Sequence, residues 1–270
     1  MPLAVRATPI GNLEDVTLRV LRELAEADVV LCEDTRHTRR LLERHGITAR
    51  LVSYQRHNEA ARTAELLPRL VAGERVALVS DAGLPGVNDP GYRLVAAAIE
   101  AEVPVTVLPG PSAVPAALVL SGFPFERYQF LGYLPRGEKA LRSLWEELAR
   151  WPHAAVAFES PQRLPLALRT LADAHPERPV AVCRELTKTF EAVVRGTARD
   201  VAERFPEPPK GEITIVVGPS EVETGQPDAM RMAAEVVGEL VAAGVPRKRA
   251  AELVGRVAGV SRNALYRRSL

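Results

Sequence analysis

Apolar and polar positions follow two alternating periods over the first 120 residues. Short apolar runs stand at 3–8 (LAVRAT), 28–33 (DVVLCE), 49–54 (ARLVSY), 75–80 (RVALVS) and 104–109 (PVTVLP). Each is too short for a helix and rich in β-branched residues, the pattern of a strand covered on both faces. Between them, apolar residues recur every three or four positions over 18–27, 38–46, 58–73, 90–101 and about 112–121. Gly46 closes the second of these helices in the usual way. Regular strand–helix alternation predicts a mainly parallel sheet with helices on both faces.

The segment 122–138 (GFPFERYQFLGYLPRGE) interrupts that rhythm with aromatic residues, glycine and proline, and reads as a crossover into a second domain. Helices are predicted there over 139–151, 162–174 and 197–204, and strands over 154–160, 179–185, 190–196 and 212–218. The strands 179–185 and 190–196 are too close in sequence for a crossover helix between them, so they should pair antiparallel in a mixed sheet. The expected architecture is α/β: a parallel domain over 1–121, a mixed α/β domain over 122–218, a polar linker over 219–229 and a helical tail over 230–270.

The chain has 270 residues and is 47% hydrophobic, enough for two modest cores. Its 35 Lys and Arg nearly balance 34 Asp and Glu, which argues against an all-over basic coat but leaves room for a local basic patch. Cys32 and Cys183 each sit in an apolar run and read as reduced core thiols. No histidine–cysteine spacing suits a metal. No stretch has the length of a membrane span or the pattern of a signal peptide, so a cytoplasmic protein is expected.

The chemistry is expected in the loops that follow the strands. These are TPIGNLEDVT (8–17), EDTRHT (33–38), SDAGLPGVNDPG (80–91) and PGPSAV (109–114), with ESPQR (159–163), CRELTK (183–188) and KGEIT (210–214) in the second half. Singly, each has a structural reading: Asp89-Pro90 and Ser160-Pro161 look like helix caps followed by proline. Four Gly/Pro-rich loops on one sheet edge are harder to read as mere turns, because open α/β sheets bind ligands there. Neither G-x-G-x-x-G nor G-x-x-x-x-G-K-[ST] nor G-x-S-x-G occurs. Small residues beside Asp81 and Ser112 suit a small amphipathic ligand held largely by backbone groups.

The ordered set TPIGNLEDVTLR, CEDTR, HNE, VSDAGLPGVNDPGY, LPGPSA, ESPQR, CRELTK and GE resembles the tetrapyrrole-methylase superfamily and, within it, the branch that modifies ribosomal RNA. The true tetrapyrrole methylases open with Gly-x-Gly-Pro-Gly-Asp, where this chain has Thr8-Pro9-Ile10-Gly11-Asn12. The third loop departs from the usual Thr-Pro-Leu-Ile-Ser, reading Leu84-Pro85-Gly86-Val87-Asn88; a hydroxyl contact at position 84 is thereby lost. The resemblance implies two α/β domains with S-adenosyl-L-methionine in the cleft between them. It also implies a homodimer and methylation of a cytidine ribose 2′-hydroxyl at the decoding centre of 16S rRNA, with the 30S subunit as the expected substrate. By match to the motifs, cofactor contacts are assigned to Pro9, Asp81, Gly83, Leu84, Ser112 and Ala113, with Pro161, Gly211, Glu212 and Ile213 closing the site. Competing readings are a tetrapyrrole C-methyltransferase and a non-catalytic regulator that senses S-adenosylmethionine.

A ribose hydroxyl is a weak nucleophile, so a base or hydrogen-bond acceptor is expected. Glu33, Asp34, Glu59, Glu159 and Glu185 are the candidates; Glu33-Asp34 and the HNE segment read equally as helix starts. Arg36 and Lys188 are candidate phosphate contacts. From 244 onward, Arg247, Lys248, Arg249, Arg256, Arg262, Arg267 and Arg268 face the single acid Glu252. Ala250, Leu253, Val254, Val257, Val260 and Leu265 have core spacing. This basic helix–turn–helix pattern is expected to bind RNA, or else to cap the body.

Overall fold

The computed structural model describes residues 2–220, 226–258, 261–262 and 265–266. The first half runs β1 (Leu3–Arg6), α1 (Leu18–Glu26), β2 (Val29–Cys32), α2 (Thr35–Arg44), β3 (Leu51–Ser53), α3 (Glu59–Val71), β4 (Val76–Val79), α4 (Tyr92–Glu100), β5 (Val105–Leu108) and α5 (Ala113–Ser121). Its strands form one parallel sheet in the order β3-β2-β4-β1-β5. Because every strand points the same way, the loops after β1, β2, β4 and β5 emerge on one edge, as expected.

Helices α1 and α2 pack Val20, Leu24 and Leu42 on one face of this sheet. Helices α3 and α4 pack Leu66, Leu70, Leu94 and Ala98 on the other. Neighbouring strands β1 and β4 thus send their chains to opposite faces, which opens a crevice between their loops. A two-way backbone bond crosses it: Thr8 N donates to Gly83 O at 2.8 Å and Gly83 N to Thr8 O at 3.0 Å.

The second half runs β6 (Tyr128–Tyr133), α6 (Glu138–Ala149), β7 (Ala154–Glu159), α7 (Leu164–Ala174), β8 (Pro179–Arg184), β9 (Ala192–Thr197), α8 (Ala198–Arg204) and β10 (Ile213–Val217). The sheet order is β6-β7-β10-β8-β9, with only β6–β7 parallel. The antiparallel β8–β9 pair matches expectation. β6 does not: it lies inside the segment read as a crossover. Its register breaks between Phe130 and Tyr133 around Gly132, whose φ is +69°, and that irregularity masks the strand period.

One face of the second sheet carries Trp145, Leu148, Leu168 and Val201 from α6, α7 and α8. The other is covered by α5, whose Val114, Ala117 and Leu118 meet Val156, Ala181 and Val216. Helix α5 follows the first sheet in sequence yet packs on the second. It is apolar on nearly every side, and the side away from the second sheet leaves Val119 exposed. Arg178 is buried and donates to the carbonyls of Gly218, Leu148, Trp151 and His153, tying strand ends to the exit of α6.

In the tail, α9 (Gln226–Ala242) and α10 (Arg247–Ala258) turn at Gly244 and share a cluster of Ala233, Val237, Ala250, Ala251 and Leu265. Helix α9 begins inside the segment read as a polar linker; Pro227 falls in its first turn, where proline is tolerated. Val257, expected in the core, is 88% exposed, while Ala251 and Gly255 are buried. Val260 lies outside the described residues, as do Arg267 and Arg268. Among the described residues no helix is long and apolar enough to cross a membrane.

Candidate active site

The crevice leads into a cavity of about 540 Å³ between the two halves. Asp81, Gly83, Leu84, Ser112 and Ala113 line it from the first half, and Pro161, Gly211, Glu212 and Ile213 from the second. Nine of the ten residues assigned to the cofactor therefore converge. Pro9 does not join them; it lines a smaller neighbouring cavity, because the Thr8–Gly83 bond turns the chain there.

Local backbone chemistry builds these walls. Gly83 and Gly211 have φ of +79° and +95°, a region costly for other residues. A side chain on Gly211 would also run into Glu185. Ser112 is the N-cap of α5 yet makes no capping bond, which leaves its hydroxyl toward the cavity. Asp81 accepts from the Asp34 amide at 3.0 Å, so the β4 loop is held against the start of α2.

Two contacts between the halves frame the cavity. On one side, Asn12 N donates to Thr187 Oγ1 at 3.1 Å, and Gly11 sits so close that an added Cβ would lie 2.6 Å from Leu186 O. On the other, Asn88 meets Gly132, whose Cβ would lie 3.0 Å from Asn88 Oδ1. Asn88, part of the departure in the third loop, has φ of +64°, which asparagine tolerates well.

The candidate bases separate by their surroundings. Asp34 caps α2 and pairs with the exposed Arg36, whose hydrogen bonds hold its carboxyl below the usual range. Glu59 accepts from Tyr54 Oη at 3.3 Å and from Gly91 N at 2.9 Å, so it caps α4 from a distance. Glu185 accepts from Glu212 N and Lys188 Nζ, both at 2.9 Å, and is held low by them. Those three are occupied in holding the scaffold. Glu159 is different: its side chain is fully buried, it lines the cavity, and its Oε2 has no hydrogen-bond partner. Burial raises its carboxyl, opposed by the Ser160 amide and by Arg163. Glu33 lies behind the wall with Oε1 buried and unpartnered. Burial, with Asp89 and Asp81 nearby, pushes it up to about 7.

Sequence reasoning missed Asp89. It read as a helix cap before Pro90, but α4 starts at Tyr92 after Gly91, and Asp89 instead faces the cavity. Burial and Asp81 raise it to about 6. Ser160-Pro161 is likewise no cap: α7 starts at Leu164 after Arg163. Phe158 and Tyr133 also line the cavity, stacked edge to face at 5.7 Å; their hint was an aromatic at each strand end.

The predicted RNA contacts are scattered. Lys188 is paired with Glu185 and Glu212 at the cleft mouth. Arg247, Lys248 and Arg249 open α10, with Arg249 paired to Glu252 at 3.2 Å, and Arg262 is exposed beyond it. Among the described residues no group of three or more potential ligands is placed to hold a metal.

The cavity's charge is one-sided. Asp81, Asp89, Glu159 and Glu212 line it, and among the described residues no Lys, Arg or His does. Apolar residues such as Ile10, Leu84 and Phe158 supply the rest. Such a site fits a small amphipathic cation. Fold and site together are those of an S-adenosylmethionine-dependent methyltransferase. Residues 4–202 match the model of the tetrapyrrole (corrin/porphyrin) methylases, and the chain belongs to that family. A protein of Mesorhizobium japonicum named ribosomal RNA small subunit methyltransferase I is 44% identical over 98% of this chain and 90% of its own length. One of the same name from Escherichia coli O157:H7 is 39% identical over 99% and 94%. Among solved structures, the methyltransferase CobJ superposes with a TM-score of 0.62 over 81% of this chain and 94% of its own, at 23% identity.

Proposed function

We propose that this chain methylates 16S rRNA, transferring the methyl group of S-adenosylmethionine to the ribose 2′-hydroxyl of a cytidine in the decoding centre, with the 30S subunit as substrate. The observation that carries the donor half is the cavity between the halves, lined by Asp81, Asp89 and Glu212 and by no basic side chain among the described residues. The acceptor half is supported by the names of the relatives, by the basic start of α10 and by a first loop unlike that of tetrapyrrole enzymes.

When bound, the cofactor supplies an already activated methyl group. The protein's work is then alignment, worth up to ~7–11 kcal/mol in favourable cases. Asp81, Ser112 and the backbone at Gly83 and Ala113 hold the donor from the first half; Glu159 and the 211–213 strand entry hold it from the second. Asp89, raised to about 6, is poised near neutrality to take the hydroxyl proton. Asp34, Glu59 and Glu185 keep their structural bonds. The protein is read as a cytoplasmic homodimer; exposed Val107 and Val119 offer apolar surface of the kind subunit contacts use.

The test is transfer of labelled methyl to 30S subunits lacking this modification, with nuclease mapping of the product. Label in 2′-O-methylcytidine is the expected result. Cofactor binding with no transfer to any subunit RNA would overturn the acceptor assignment.

A further inference from the structure

Beside the large cavity lies a second one of about 240 Å³. The two share Ile10, Asp81, Ala82 and Glu212, so one thin wall separates them. The second cavity is otherwise built by the β1 loop and by α2, through Leu13, His37, Thr38 and Leu41, with Lys188 across the cleft. Its lining differs in kind from that of its neighbour: it contains His37 and Lys188, where the large cavity contains no basic group among the described residues.

Helix α2 carries its charge on the adjoining surface. Arg36, Arg39 and Arg40 stand three and four residues apart, one exposed stripe beside the residues that line the cavity. Arg36 is bound to Asp34. Arg39 and Arg40 are exposed and make no ion pair among the described residues. Unpaired arginines on one helical stripe suit a phosphate chain, to which guanidinium groups bind strongly.

From these observations, and resting on the methyltransferase reading above, we infer that the second cavity receives the acceptor nucleotide, extruded from its RNA, while Arg39 and Arg40 hold the flanking phosphates. A ribose buried in a cleft between two domains cannot stay in a helix, so its nucleotide must be drawn out into a fitted pocket. A mixed pocket below the ~300–1,000 Å³ of drug-sized ligand sites suits a single nucleoside. Seated there, the nucleotide reaches the donor side across Asp81, which lines both cavities. The body of the protein, not only its tail, then grips RNA.

The test uses the full chain, unmethylated 30S subunits and two variants. Arg39→Ala/Arg40→Ala removes two exposed side chains. It should raise KM for subunits at least tenfold and leave kcat within twofold. Cofactor affinity by calorimetry should not change, and the plot of log affinity against log salt should become shallower by about one to two. Leu13→Trp, at a partly exposed position, plugs the second cavity. It should cut kcat/KM at least tenfold with cofactor affinity intact. Wild-type KM and salt slope in the double variant would overturn the phosphate track. Wild-type turnover in Leu13→Trp would overturn the nucleotide pocket. Failure of the unaltered protein to methylate any subunit would instead defeat the parent reading, and this inference with it.

Discussion

Glu33 offers a direct test of the electrostatics behind the site. Its carboxyl is raised from an ordinary 4.5 to about 7, chiefly by burial and then by Asp89 and Asp81. Between those two pH values the folded protein holds a proton that the unfolded chain has released. Folding stability therefore falls as pH rises from about 4.5 to about 7, and stays lowered above that. The full shift corresponds to about 3 kcal/mol; solvent reaching the half-buried carboxyl reduces it to about 1–2 kcal/mol. Glu33→Gln keeps the shape and removes the charge. The variant should match the wild type near pH 4.5 and exceed it by about 1–2 kcal/mol at pH 8. Urea denaturation at half-unit pH steps, without cofactor, measures both curves. Asp89 is raised for similar reasons, so part of the slope should persist in the variant. Parallel curves with a constant offset would refute the reasoning, because they would show that Glu33 titrates alike in both states.

Asp81→Ala should weaken S-adenosylmethionine binding at least tenfold in a calorimetric titration, since it removes a carboxylate from the cavity wall and the acceptor for the Asp34 amide; unchanged affinity would remove Asp81 from the site. Ending the chain before α9 should leave cofactor affinity intact and weaken binding to 30S subunits, and a truncated protein with full activity would assign the tail no part in RNA binding. Arg178→Met should cost about 3–5 kcal/mol in chemical denaturation, because four carbonyls lose a buried cation; a loss under 1 kcal/mol would mean that water replaces it.

Much of this molecule can be read along the chain. Short apolar runs and the three-to-four-residue period of the helices locate nine of the ten described strands and the helices between them, because burial on both faces makes a strand a near-continuous apolar run. The loop chemistry is legible too: Asp81, Gly83, Ser112 and Gly211 stand where turns need small or capping residues. Other features are not. β6 hides behind its break at Gly132, and Asp89 imitates a cap that the chain does not use. Glu59 reads as a start to its own helix, yet its carboxylate serves α4, 32 residues away in sequence.

Local periodicity and backbone preference set the alternation of elements and the loops at the strand ends, and the ordered loop motifs carry the family resemblance. Tertiary packing set which carboxylates are free for chemistry. That depends on burial and on partners brought together from distant segments: Glu159 with an oxygen left unpaired, Glu33 and Asp89 each raised by burial and by the nearby Asp81, and Asp34, Glu59 and Glu185 bound into the scaffold. It also decided that α5 crosses to the second sheet and that two cavities share one wall, since packing between layers has no period along the chain.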